Sequence, residues 1–314
     1  MNLSTMGTPT KTEIPTEKVA CDLCGADAPK VVYRHGKAPG GKDWTYEDIV
    51  ASSDRYGVFG EIVRCRSCGL YYASPRIRLD VLIEGYRDSE DAEYLDQSEC
   101  RSMNAFMSLA VLRRFVPKGR LLEIGCSAGF FLNAARIWFE VHGIELSKWS
   151  ADFARQQLKV AVDAETLERA DYPSDHFDAV ALVDVIEHVP SPKTVLKEVA
   201  RVLKPGGAVY LVTPDMKSLT SRLMGRYWWA LRPGHIFYFD AGTLKRTLEA
   251  AGFEVVHTSS YGRIFTLGYW YSRLNTYPAV LRVPVGWFVR IFGLETKFTF
   301  INTRDSIEVV ARKK

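Results

Sequence analysis

Apolar and polar positions along this chain follow two rhythms, and the places where one gives way to the other hold its chemistry. Between residues 118 and 214, short apolar runs stand at Leu121–Ile124, Val141–Ile144, Phe177–Val183 and Ala208–Val212. Runs this short, rich in Val, Ile and Leu, predict strands covered on both faces. Between them the apolar spacing lengthens to that of a helix, opening at Phe130 and again over Val195–Leu203. Pro205, Gly206 and Gly207 stop the second helix and turn the chain into the next strand. Upstream, residues 78–117 predict helices, with an amphipathic run from Met103 to Phe115; downstream, Ser306–Ala311 predicts a final strand. Strands alternating with helices imply an α/β protein with a parallel sheet and helices on both faces.

The first of these strands ends in a glycine-marked turn, Gly125 to Gly129, and about twenty residues later the second ends on Glu145. Strand, glycine turn, helix, strand and acid is the layout of a nucleoside site at the carboxyl edge of a parallel sheet. A dinucleotide fingerprint would place glycines at 125, 127 and 130, where this chain has Gly125, Ser127 and Phe130. The third glycine permits close helix–strand packing, so a phenylalanine argues against a dinucleotide. Glu123, two residues before Gly125, would repel a pyrophosphate but suits the cationic α-amino group of a methionine moiety. S-adenosylmethionine (SAM), which has no phosphate, is therefore the favoured nucleoside. Glu145 can accept hydrogen bonds from both ribose hydroxyls, since an ionised carboxylate offers two acceptor oxygens.

The run Glu123-x-Gly125-x-x-x-Gly129 resembles motif I of the class I SAM-dependent methyltransferases, with Ser127 where most members have a middle glycine. The order FDAV, DVIEHV, RVLKPGG and VTP over residues 177–214 resembles the middle of the same core, and His235 to Val255 is similar to its later part. The resemblance covers about residues 100–260. It implies a Rossmann-like class I methyltransferase sheet with SAM as cofactor, bound by Glu123, Gly125, Ser127, Gly129 and Glu145. It also implies Thr166 and Leu167 beside the adenine, and Asp184 near the methionine moiety or the substrate. Methyl transfer is an in-line displacement that often needs a proton acceptor, and His188 and His235 fall where this fold borders its cofactor. His188 also reads as a residue that bonds a neighbouring loop, and His235 as one that orients the substrate. Tyr86 and Tyr94 read either as lid residues or as packing for their helices. No Asn-Pro-Pro-Tyr motif follows the fourth strand, which argues against methylation of exocyclic amines on DNA bases.

Four of the six cysteines form two pairs, Cys21/Cys24 and Cys65/Cys68, each followed by glycine. Two such knuckles predict a closed, structural, tetrahedral zinc site in a small zinc-ribbon-like domain. The insert between them is long for a compact ribbon. The alternatives, redox pairs or disulfides, suit neither a reducing compartment nor this context. A metal held by four thiolates has no open position for chemistry. Cys126 reads as packing inside the glycine turn, and Cys100 receives no role.

At 314 residues, 47% hydrophobic and 25% charged, the composition is that of a globular protein with more than one unit. The formal charge of +4 gives no support to nucleic-acid binding, and residues 18–75 carry no basic stripe. Residues 1–17 read as a disordered tail, 18–75 as the zinc-binding domain and 76–117 as a helical lid or linker. Residues 118–314 read as the SAM-binding domain, with substrate-side insertions at about 215–240 and 261–300. No apolar run reaches the ~18 residues of a membrane span, which predicts a cytoplasmic protein. Between Glu254 and Glu295 there is no acidic residue, while Arg263, Arg273, Arg282 and Arg290 lie among aromatics. This segment, 261–292, raises peripheral membrane contact against ordinary packing of a substrate lobe, and Pro278 and Pro284 would break a long amphipathic helix there. The leading expectation is methyl transfer to an oxygen or carbon of a small-molecule, saccharide or lipid-linked acceptor. Its rivals are an RNA methyltransferase that docks through the zinc domain and a SAM-binding scaffold that transfers nothing.

Overall fold

The structure, a computed structural model, describes residues 14–36, 59–90, 92–276 and 279–314. Its centre is a seven-stranded sheet whose strands, in chain order, are β1 (Gly119–Ile124), β2 (Phe139–Ile144), β3 (Ala161–Asp163), β4 (Phe177–Val183), β5 (Leu203–Pro214), β6 (Phe253–Ser260) and β7 (Ser306–Lys313). Their spatial order is β6-β7-β5-β4-β1-β2-β3. All neighbours are parallel except β7, which runs antiparallel between β5 and β6. The order reverses between β1 and β4, so their carboxyl ends part to leave a crevice, where open α/β sheets place ligands.

The apolar runs explain the layers. Ala179 through Leu182 are fully buried because helices cover both faces of β4. On one face lies helix Pro192–Val202, started by Ser191, whose hydroxyl accepts from Thr194 N at 3.2 Å, and by Pro192 in its first turn. Its Leu196 and Val199 pack with Val180 and Leu182. On the other face lies helix Ser98–Leu112, whose Leu109 and Leu112 meet Leu121 and Ala179. This helix begins earlier than the expected Met103 and ends before Phe115; Pro117 disfavours helix at the residue before it.

The cysteine-bearing segment is joined to the rest by a shared sheet. Strands Pro29–Tyr33, Ile62–Cys65 and Tyr71–Ala73 are completed by Phe237–Tyr238, which pairs with Tyr71 and Tyr72. The end of the expected disordered tail is ordered: Thr16–Glu17 pairs antiparallel with Arg76–Ile77, and Arg76 bonds Glu17 at 2.9 Å. Residues 1–13 of that tail and 37–58 of the insert between the cysteine pairs lie outside the described residues.

A second correction concerns Pro284. It sits inside helix Ala279–Ile291 and does not break it; residue 278 lies outside the described residues. Pro284 is on the solvent side, where water can satisfy the carbonyl its missing N–H leaves free. The opposite side is fixed by packing, since a side chain on Gly286 would fall 2.2 Å from the Tyr271 hydroxyl. Among the described residues, no helix is long and apolar enough to cross a membrane.

Candidate active site

A cavity of about 920 Å³ occupies the crevice at the carboxyl ends of β1 and β4. That is large enough for a nucleoside cofactor together with a small acceptor. Glu123, Gly125, Ser127, Glu145, Thr166, Leu167, Asp184, His188 and His235 all line it, whereas Gly129 does not. Gly129 stands behind the wall with φ at +81°, and a Cβ there would lie 2.9 Å from that of Ala154. It sets the turn and lets the following helix pack closely.

The wall from β1 and β2 is built largely from backbone. Gly125 takes φ +68°, and a Cβ on it would fall 2.6 Å from Val185 Cγ2. Ser127 adopts a left-handed φ of 46°, which aims its N–H at Glu145 Oε2, 2.8 Å away. Ser147 N donates to the other oxygen, Oε1, at 2.8 Å. Burial pushes the Glu145 carboxyl upward, partly offset by these amide bonds. Each oxygen keeps a further acceptor site toward the cavity. Glu123 is buried, and its Oε2 has no hydrogen-bond partner. Burial first, then the charge of Glu145, holds its carboxyl well above the usual range. A buried carboxyl with an unpartnered oxygen on a cavity wall is the complement of a cationic ligand group.

The opposite wall is built from side chains. Asp184, expected near the methionine moiety or the substrate, lines the cavity and is clamped by Arg263, whose Nη1 and Nη2 donate to its two oxygens at 2.8 Å each. Arg263 and Arg273 therefore belong to the cavity and not to an outer basic surface. His188 bonds a neighbouring loop: its Nδ1 lies 2.8 Å from Gly234 O and 2.9 Å from the Tyr86 hydroxyl. Bonding to a carbonyl puts the proton on Nδ1, and burial together with the Arg232 charge brings the imidazole down to about 3. Arg232 Nε donates to His235 Nε2 at 2.9 Å, which caps that nitrogen's lone pair and leaves the proton on Nδ1. Burial, then the charges of Arg232 and His188, press His235 well below its ordinary value. Both imidazoles are thus held neutral.

Beside them lies Glu187, to which sequence reasoning gave no role. Thr213 Oγ1 donates to its Oε2 at 3.0 Å, while Oε1 is buried without a partner. Burial, reinforced by Asp184, raises the carboxyl to about 8. Glu187, His188 and His235 place ligand atoms within 4.8 Å of one another. A metal ion fits this set poorly, because the bond from Arg232 leaves His235 a protonated Nδ1. The signal missed was the acid inside the DVIEHV run, one residue before the histidine that drew attention. Tyr86 and Tyr94 also line the cavity, Tyr94 stacked on Phe130 with centroids 6.1 Å apart.

Residues 97–258, just over half of the chain, match the sequence profile of a family described as a methyltransferase domain. The chain belongs to this methyltransferase family. Among curated relatives, this methyltransferase is 37% identical over 101 residues to a ubiquinone biosynthesis O-methyltransferase of Thiobacillus denitrificans, covering 30% of this chain and 44% of that protein. It is 30% identical over 168 residues to the protein of the same name from Aeromonas salmonicida, covering 48% of this chain and 71% of the relative. The chain thus spans less than half of the first relative's length. A solved SAM-dependent methyltransferase from Thermotoga maritima aligns with TM-score 0.49 and 22% identity, over 71% of this chain and 95% of that one.

The four cysteines of the methyltransferase's N-terminal segment converge. Cys21 and Cys68 sulfurs are 3.4 Å apart, those of Cys24 and Cys65 are 3.6 Å apart, and all four lie within 4.8 Å of one another. Four ligands about 2.3 Å from one tetrahedral zinc would stand roughly 3.8 Å apart, whereas a disulfide needs about 2.05 Å. Gly25 and Gly69, at φ +75° and +81°, turn the chain so that their N–H groups bond back to Cys21 O and Cys65 O. The donor set and its spacing fit a zinc ion.

Proposed function

We propose that this protein transfers the methyl group of SAM to a hydroxyl oxygen of a small acceptor, a class that includes saccharide and lipid-linked molecules. The observation that carries the reading is the meeting, in one cavity, of the Glu123 carboxyl with its unpartnered Oε2, the Glu145 carboxylate and the buried Glu187. Glu123 would hold the cofactor's ammonium, Glu145 its ribose hydroxyls, and Thr166 with Leu167 its adenine. When bound, SAM supplies an electrophilic methyl on a sulfonium. Glu187 Oε1 accepts the acceptor's hydroxyl proton, a task for which a carboxylate raised to about 8 is well matched. His188 and His235 position the loop that carries Arg232. The likeness to O-methyltransferases supports oxygen as the acceptor atom. Cys21, Cys24, Cys65 and Cys68 would hold a structural zinc, and four thiolates of that kind suit a reducing, cytoplasmic setting.

The test is to incubate the protein with methyl-labelled SAM and a cell extract split into RNA, lipid and small-molecule fractions. Label in the lipid or small-molecule fraction supports the reading, and its loss in Glu187→Gln with SAM binding kept supports the role of Glu187. Label confined to RNA overturns the acceptor class and recasts the zinc unit as a docking domain. SAM binding without any transfer favours a scaffold.

A further inference from the structure

The insertions that roof the cavity carry an outer face that the cavity does not use. In helix Ala279–Ile291, Val283, Trp287 and Ile291 recur at fourfold spacing on one exposed face, with Trp287 at 68% exposure, while Gly286 and Val289 face inward. In helix Leu219–Met224, Thr220 and Met224 line the cavity while Leu219 and Leu223 point outward, Leu223 at 78% exposure. Strand Phe298–Ile301 shows the same division in a period of two: Ile301 lines the cavity, and Phe298 and Phe300 are exposed. These elements are neighbours around the roof. Thr220 Oγ1 donates to Thr303 O at 2.9 Å, Trp270 Nε1 to Thr299 O at 3.4 Å, and Tyr271 packs on Gly286.

The charges bordering this face are mostly cationic, with Glu295 an exposed acid beside Lys297. Arg222, Arg226, Arg290 and Lys297 are exposed along its edges, and no acid occurs from residue 255 to 294. Elsewhere on the molecule acids and bases alternate in pairs such as Arg120 with Glu140 and Arg155 with Asp152. Protruding aromatic and aliphatic side chains flanked by cations are the complement of a lipid interface with anionic headgroups: the side chains enter the acyl boundary and the arginines stay among the phosphates.

We infer that the face formed by helix Ala279–Ile291, helix Leu219–Met224 and strand Phe298–Ile301 docks on an anionic bilayer, so that a lipid-linked acceptor reaches the cavity from the membrane. The docking stands on the surface alone; the delivery of an acceptor rests on the methyl-transfer reading of the cavity. The segment that roofs the cavity on its inner side is the segment that meets the membrane on its outer side. An acceptor with a lipid tail then need not leave the bilayer fully to present its hydroxyl.

The full-length protein is sedimented with vesicles of phosphatidylcholine alone and of phosphatidylcholine mixed with phosphatidylglycerol. SAM binding is measured by calorimetry on the same preparation. Co-sedimentation is expected only with the anionic vesicles and should weaken as salt is raised. Trp287→Glu and Phe288→Glu, the latter at the exposed neighbouring position, should each weaken it roughly tenfold or more. Ile137→Glu, an equally exposed apolar position next to the opposite, amino-end edge of the sheet, should leave it unchanged. SAM binding should be untouched in all three. Failure of the wild type to sediment with anionic vesicles, equal binding to neutral ones, or equal loss in Ile137→Glu overturns the docking. So does a concentration-dependent dimer that Trp287→Glu disperses, because a second copy then covers the face. Loss of SAM binding in the wild type would overturn the methyl-transfer reading while leaving the docking to stand or fall on sedimentation.

Discussion

On the side of the cavity proposed to hold the cofactor, most polar groups are backbone amides and two carboxyl groups carried between Glu123 and Ser147, on one strand–turn–helix–strand unit. On the side proposed to meet the acceptor they are side chains from distant segments: Glu187, Arg232 and His235, and Arg263. A wall made from backbone depends on where the chain turns, and its side chains can vary. A wall made from side chains depends on elements that are brought together only by the folded whole, and each contact has a single partner. The two should therefore fail in different ways.

The largest effect should come from the element that props the acceptor wall. Phe237–Tyr238 lies two residues beyond His235 and is paired to Tyr71 and Tyr72, within the sheet that ends at Cys65. Replacing Cys65 with Ala removes one of four thiolates and should cost more than about 4 kcal/mol, the range reserved for loss of a metal. Thermal unfolding with and without a chelator measures it. A chelator that leaves the melting temperature unchanged would sink the zinc assignment.

Next in size is Glu187→Gln, which removes the proposed proton acceptor from the side-chain wall. Transfer to a responsive acceptor fraction should fall about a hundredfold or more, while SAM affinity stays within about twofold. In the wild type the rate should rise with pH until about 8 and then level, because only the ionised carboxylate accepts a proton. The same group tilts stability. Glu187 ionises near 4.5 when unfolded and near 8 when folded, so the unfolded chain binds fewer protons across that window and stability falls as pH rises through it. His188, at about 3 folded and 6.5 unfolded, acts oppositely and raises stability up to 6.5. Glu123 and Glu145, both raised by burial, tilt stability in the same direction as Glu187, and Glu187→Gln should lessen the loss between pH 6.5 and 8 by about 2 kcal/mol at most. Denaturant curves at those two pH values decide it; an unchanged slope would mean the carboxyl is not held neutral.

How much of each wall is legible in the sequence follows from the same difference. Strand β1, the turn at Gly125, strand β2 and Glu145 are contiguous, and each has a local signature: an apolar run, a glycine at positive φ, an acid at a strand end. The central sheet is legible for the same reason. Asp184 looked free for the cofactor because its partner, Arg263, lies 79 residues away on an insertion with no periodic signature. His235 read either as a base or as an orienting residue because the sequence does not show that Arg232, three residues earlier, turns back onto its Nε2. Pro284 looked like a break because a lone proline reads as one until the packing of Gly286 on Tyr271 is known.

A smaller effect should follow from Glu123→Gln, which keeps the shape of the backbone wall and removes its charge. A hydrogen bond to a charged group is worth about 1.5–3 kcal/mol, so SAM affinity should fall about tenfold to a hundredfold by calorimetry. Unlike the cysteine change, this one should leave the protein folded, and the neutral amide should stabilise it slightly at high pH, where the buried carboxyl would otherwise ionise. Unchanged affinity would remove Glu123 from the ammonium site.

The smallest effect sharpens the comparison most. Ser127 stands where a glycine is usual, in a left-handed conformation that costs a non-glycine residue about 1 kcal/mol or more. What the wall uses at this position is the N–H, which donates to Glu145 Oε2 at 2.8 Å. Ser127→Gly keeps that donor and relieves the strain, while giving the unfolded chain more freedom to lose. The two terms oppose, so stability should change by no more than about 1 kcal/mol and SAM affinity by no more than about twofold. A larger fall in affinity would show that the Ser127 hydroxyl itself contacts the cofactor, and this part of the wall would then be side-chain built like the acceptor side.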